Sequence, residues 1–460
     1  MERHVRRQFC GLVAAVLVAV ALLSGRAFAH GGALRSSGES LAVPTWLFLA
    51  TGGGVVGASF LLASLVTDRT LVRRIDEYGS TLALSRARVV DVFGSIVGVA
   101  GLAAVLWFGV RGPTDPFRNL AVLVVWVGWW AGYVMSVYLV GNTWPTLNPF
   151  RTLVELLPSL ELAYPERLGS WPSVAGLIAL IWVEVVSPLA DDPQLLAQVV
   201  AAYTAVTVVG GAAFGPERWF STVDPISRVF SYYGRVAPVE RIDDGLSLRL
   251  PGMALTDSRG VDSISEVAFI VALLWVTTYD GLVTVPAWAD ATRGAVGAGL
   301  PVQAVYVGSL LGGFVLFFGA YVLASYASRR LAETYLRPAR LARNFAPPLL
   351  AIAAGYHLAH FLGYFLSLLP PLTAALSDPF SPPSNPLTYV MPSWFGGLEL
   401  TFVLVGHLVA IWVAHAAAYD VFPGRLQAIR SQYPFILVMV IYTMVSLWIV
   451  SEPSVTPPYL

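Results

Sequence analysis

Histidine is the residue type in this chain with the most chemistry to offer, and it is unevenly placed. Of six histidines, His4 and His30 stand near the N-terminus. The other four fall on two neighbouring apolar stretches, His357 and His360 on one and His407 and His415 on the next. His357 and His360 are three residues apart and share a face of a helix. His407 and His415 are eight apart, ~12 Å of helical rise, too far for one ion to hold both. Antiparallel packing of the two stretches brings His357 or His360 level with His407 and leaves His415 nearer the inner end. Carboxylates occupy similar stretches: Glu184, Asp280 and Glu399, with Asp378 close by. Glu399 precedes His407 by two helical turns, which groups it with Asp280 toward the outer side.

Three chemistries are open to this set. His357, His360 and His407, with a carboxylate, are the donor types of a divalent transition metal such as zinc, copper or iron, and His415 is a further candidate ligand. Haem between the two helices is the second, because facing histidines supply axial ligands. The third is histidines that hydrogen-bond between helices or carry protons without a metal. A metal-bound water with Asp280 or Glu399 as its base is a constellation for hydrolysis. Absences narrow the field. All 28 basic residues are Arg, which excludes a P-loop lysine, a lysine Schiff base and a Ser–Lys pair. Neither G-x-S-x-G nor H-E-x-x-H occurs, so the usual serine-hydrolase and zincin signatures are missing.

The elements that must position these residues are membrane helices. Hydrophobic residues make up 56% of the 460 and charged ones 12%, with a mean hydropathy of +0.69. That is far too apolar for a soluble protein, and it excludes disorder, collagen and coiled coil. Basic and acidic residues balance at 28 each, so nothing suggests nucleic acid as a partner. Residues 1–29 read as a secretory signal: Arg3, Arg6 and Arg7, an apolar run from Phe9 to Ser24, and a small-x-small site at Ala27-Phe28-Ala29. Cleavage there removes Cys10, the one cysteine, and exposes His30 as the first residue. Its α-amine and imidazole suit copper, although one residue does not complete a coordination sphere.

The remaining 30–460 form a single transmembrane domain. Apolar runs of bilayer-spanning length are expected near 45–66, 91–110, 119–140, 173–189, 194–214, 264–285, 301–326, 346–370, 395–418 and 433–451. The fold expected is therefore all-α, a polytopic membrane bundle of about ten helices, since continuous apolar runs favour helices over a barrel. With the mature N-terminus outside, twenty arginines fall in inner loops and four, Arg35, Arg111, Arg118 and Arg293, outside. This agrees with the positive-inside rule and places both termini outside a plasma membrane. Trp46 and Trp394 open spans on the outer side, and Trp171 lies near an inner boundary. Gly53-x-x-x-Gly57 and Gly308-x-x-x-Gly312 are spaced to let helices approach closely. Two inner connections share a pattern, Trp144 … Asn148-Pro149 and Trp219 … Asp224-Pro225, in which Asn or Asp caps a short interfacial helix with Pro in its first turn.

Short strings in order along most of the chain carry a family resemblance. They are Ala29-His30-Gly31, Asn148-Pro149-Phe150-Arg151, Tyr164-Pro165-Glu166-Arg167-Leu168-Gly169 and Gly234-Arg235-Val236-Ala237-Pro238. Further along come Asp280-Gly281, Ala359-His360-Phe361, Ser377-Asp378-Pro379, Gly406-His407, Ala414-His415 and Arg430-Ser431-Gln432-Tyr433. In these the chain resembles the polytopic membrane proteins known as fenitrothion hydrolases. The resemblance implies cleavage of aryl phosphorothioate triesters by a membrane enzyme, assembled with a related membrane subunit. It carries over His360, His407 and His415 as matching positions. At His357 the family pattern has an apolar residue and at Glu399 an amide, so it carries over neither.

The expectation is thus a membrane-embedded, metal-assisted hydrolase of small apolar esters, with water activated by the ion. A transporter or permease that uses buried histidines and carboxylates for proton or cation coupling is the main alternative. Gly- or Pro-interrupted spans would favour it, but Pro347-Pro348 and Pro370-Pro371 flank the eighth span rather than break its centre. A haem or copper redox protein is the third.

Overall fold

The computed structural model describes residues 45–83, 88–242, 245–257, 260–392 and 394–460. The signal segment, Cys10, His30 and Arg35 lie outside the described residues. Each of the ten apolar runs is a helix: α1 (Thr45–Leu65), α3 (Arg88–Arg111), α4 (Leu120–Leu139), α7 (Trp171–Val186), α8 (Pro193–Phe214), α10 (Ile264–Leu282), α12 (Val302–Leu331), α14 (Pro348–Ser377), α15 (Phe395–Val421) and α16 (Arg425–Ser451). The protein is an all-α, multi-pass helical membrane bundle. Among the described residues eight helices are long and apolar enough to cross a membrane. The first run meets α2 (Arg69–Asp76) at a bend of 118°, and α7 has 16 residues.

Between the spans lie shorter elements that the apolar pattern does not show. These are α5 (Trp144–Leu147), α6 (Pro149–Glu155), α9 (Pro225–Tyr233), α11 (Pro286–Gly297) and α13 (Pro338–Phe345). A small antiparallel sheet of order β1-β3-β2 joins β1 (Gly79–Ala83), β2 (Val239–Ile242) and β3 (Gly245–Arg249), with Gly79 opposite Arg249 and Val239 opposite Leu248. It ties the connection after α2 to the one between α9 and α10.

Helix starts follow local chemistry. Asn148 and Asp224 both cap as their sequence pattern predicts: Asn148 Oδ1 accepts from the Phe150 and Arg151 amides at 3.0 and 3.1 Å, and Asp224 Oδ2 accepts from Ser227 N at 2.8 Å. The two motifs also touch. Trp144 Nε1 and Asn148 Nδ2 both donate to Ser227 Oγ, at 3.2 and 3.1 Å. A reciprocal Ser263–Glu266 capping box opens α10.

Helix α14 is the hub, packed on α4, α10 and α15. It meets α15 backbone to backbone: a Cβ on Gly355 would stand 2.7 Å from Phe402 O and 3.0 Å from Gly406 Cα. It meets α4 where a Cβ on Gly132 would stand 2.6 Å from the Phe365 ring. Pro370 and Pro371 lie inside α14, which continues to Ser377. Of the predicted glycine pairs, Gly53 lies beside Met444 and Val440 of α16, whereas Gly57, Gly308 and Gly312 have no described neighbour within reach of a Cβ. Helix α10 is the most enclosed span, and α3 and α12 are peripheral.

Candidate functional site

Helix α14 sends its two histidines to different neighbours. Successive residues turn by about 100°, so His357, two residues beyond Gly355, points away from α15. It faces α4, where Tyr138 Oη lies 3.0 Å from His357 Nδ1. Trp130, Tyr138, Tyr233 and Phe361 surround its ring at centroid distances of 5.9, 5.7, 6.0 and 4.5 Å.

His360 faces α10. Its Nε2 lies 3.2 Å from Asp280 Oδ2, and each side chain is 19% exposed. A carboxylate only accepts, so Nε2 carries a proton, and in the neutral imidazole Nδ1 keeps its lone pair. Among the described residues Asp280 is the one hydrogen-bond partner of this imidazole. The Tyr356 ring lies parallel to it at 5.9 Å and Phe361 edge-on at 4.9 Å. Gly281 is needed for this approach of α10 to α14, because any side chain there would collide with Tyr356 Oη and Ile449. Glu399 on α15 approaches α14 as well. A Cβ on Gly363, one turn along from His360, would stand 3.4 Å from Glu399 Oε1. Gly363 thus leaves room for that carboxylate beside α14.

The other two histidines are held apart from this pair. His407 Nδ1 donates to Val403 O at 2.8 Å within its own helix, and its Nε2 is buried with no described partner. His415 Nε2 donates to Val66 O at 2.9 Å, while its Nδ1 lies 3.4 Å from Gln432 Nε2. It satisfies the carbonyl left free where α1 ends and turns into α2. Asp378 accepts from Ser381 N at 3.1 Å and shapes the outer loop, and Glu184 is partly buried on α7.

The predicted residues therefore assemble in part. His360 and Asp280 come together, and Glu399 reaches α14 at Gly363; His357, His407 and His415 occupy separate settings. The donors do not fit the expected three-histidine metal centre. Among the described residues no group of three or more His, Cys, Asp or Glu is placed to share an ion. Haem fits no better at His357, whose four aromatic neighbours fill the space a macrocycle would need. Sequence reasoning missed Tyr138 and Tyr356. Tyr356 adjoins His357 and was findable as part of that string, whereas nothing in the α4 sequence marks Tyr138 as a histidine partner. Comparison with protein-family models, curated proteins and solved structures finds no match.

Proposed function

We propose that the protein is a membrane-embedded hydrolase of small apolar esters, organophosphate triesters among them, that works by general-base catalysis from His360. The observation that carries the reading is the His360–Asp280 pair, at membrane depth and partly accessible. Nδ1 takes a proton from water as the water oxygen bonds to the phosphorus or carbonyl carbon of the ester. The bond to the leaving oxygen breaks, and the imidazolium returns its proton to that oxygen. Asp280 holds the ring in the required tautomer and offsets its charge in the protonated state. Tyr356 and Phe361 offer aromatic faces to an apolar substrate, and Glu399 is a second acid–base group one turn outward. No step runs through a metal, because the donors do not converge. The chain lies in the plasma membrane with its arginine-rich connections inside.

The test is turnover of a chromogenic aryl ester and an aryl phosphorothioate triester by the purified protein. His360→Ala and Asp280→Asn are each expected to lower kcat by roughly 10²–10⁴-fold. The double variant should be little worse than either, as for residues that act as a unit. A folded His360→Ala protein with wild-type turnover removes the proposal.

A second reading, a proton-coupled permease, is favoured by the buried Tyr138–His357 bond, which ester hydrolysis does not use. Substrate flux into proteoliposomes without product would select it.

A further inference from the structure

The junction of α4, α9 and α14 holds more buried polar atoms than it has bonds to satisfy them. Trp130 Nε1, Tyr233 Oη and His357 Nε2 are each shut off from the surface with no hydrogen-bond partner among the described residues. Tyr233 and His357 are both 0% exposed. All belong to one ring cluster: Trp130 and Tyr233 contact the His357 ring at 5.9 and 6.0 Å, and Tyr138 contacts Tyr233 at 5.4 Å. The Trp130 carbonyl also lies near the imidazole. Trp130 lies on the part of α4 that is π-helical, Leu123–Tyr133. Such wider turns are common at functional positions.

Buried polar groups in native proteins are almost always paired, and where protein supplies no partner an internal water does. We infer that this junction is a hydrated site, with ordered water bridging Trp130 Nε1, Tyr233 Oη and His357 Nε2. Each of the three orphaned atoms then has a partner. If Tyr138 donates to His357 Nδ1, then His357 Nε2–H and Trp130 Nε1–H both donate to the water, and the water donates to Tyr233 Oη. The result is a hydrogen-bonded chain, Tyr233–water–His357–Tyr138, running from the short helix α9 to the middle of α14. This goes beyond the hydrolase proposal and does not depend on it.

The experiment is a map of the full-length protein at a resolution that shows ordered solvent, together with melting of Tyr233→Phe, an isosteric change. Density is expected within hydrogen-bonding distance of Tyr233 Oη and His357 Nε2, and Tyr233→Phe should melt below wild type because it removes a satisfied bond. A dry site predicts the reverse, since deleting an orphaned hydroxyl relieves a desolvation penalty. A map without that density, or a Tyr233→Phe protein that melts higher, overturns the inference. Hydrolytic activity enters neither readout, so this inference and the hydrolase proposal fail separately.

Discussion

What a membrane histidine can do is set by the partners of its two nitrogens. His415 has both engaged, with Val66 O and Gln432, so it has nothing left for a ligand. Replacing it by Leu strands the Val66 carbonyl, a cost of about 1–3 kcal/mol, while the Gln432 amide keeps its bond to Ala428 O. His415→Leu should therefore lower denaturation stability while the folded fraction keeps wild-type kcat, the reverse of His360→Ala. Types and spacing made all four histidines legible as candidates, but not their partners. His357 and His360 are three apart, which reads as one face; the 60° between them is enough, on a helix packed by three others, to send one to α4 and the other to α10. A carboxylate between the spans supplies a pH test. Burial holds the Asp224 carboxyl above its usual value of 3.8, against the hydrogen bonds from Ser227 and Tyr203. The folded state then binds this proton more tightly than the unfolded chain does. Its contribution to stability is fully present below 3.8 and is lost as pH rises through the raised folded value. Asn148 caps α6 at the matching position of the other motif without a charge, so Asp224→Asn keeps the cap and should flatten this part of the pH dependence. Apparent melting temperatures from acid to neutral pH decide it; an unchanged slope assigns the dependence elsewhere.

At the scale of elements, packing of α14 on α15 is the contact that brings Glu399 to Gly363, one turn from His360. The residues that permit it are Gly355 and Gly406, which the sequence shows only as two glycines on separate spans. A methyl on Gly355 meets backbone atoms, Phe402 O at 2.7 Å and Gly406 Cα at 3.0 Å, and backbone cannot turn aside as a side chain can. Gly355→Ala should cost about 1–3 kcal/mol by overpacking and displace α15. The expected result is a lower melting temperature together with reduced kcat, though Gly355 touches no reacting group. Unchanged stability would mean that the two helices are not in backbone contact. Hydropathy made the ten apolar helices legible because twenty-residue runs average over local detail. It could not find β1, β2 and β3, of five, four and five residues, whose pairing joins segments far apart in sequence. Nor does it reveal the end of α7, fixed at Val186 by the Ser187-Pro188 turn rather than by loss of apolarity.

Over the whole molecule, arginine does more than bias the charge of the connections. Arg69 donates to the carbonyls of Tyr419 and Pro423 at 2.9 and 2.8 Å, closing the end of α15, and Arg235 donates to Ala254 O at 3.1 Å. The planar guanidinium reaches several carbonyls at once, which a lysine does not. Orientation then turns on α7. At 16 residues it is ~24 Å long, short of the ~30 Å hydrocarbon core. Yet the connection before it carries Arg151 and Arg167, and the one after α8 carries Arg218, Arg228 and Arg235. If α7 failed to cross, α8 alone would carry the second group to the opposite face and every later basic loop would follow, against the positive-inside rule. The pair α7–α8 is therefore expected to act as a complete hairpin, with residues 187–194 outside under the proposed orientation. Gln194 is exposed at the first turn of α8, and Tyr335, between α12 and α13, is fully exposed. In a Cys10→Ser background, Gln194→Cys should react with a membrane-impermeant maleimide in intact cells, and Tyr335→Cys only after permeabilisation. Gln194→Cys protected in intact cells would show that α7 does not cross and would invert the outer half of the topology from that point on.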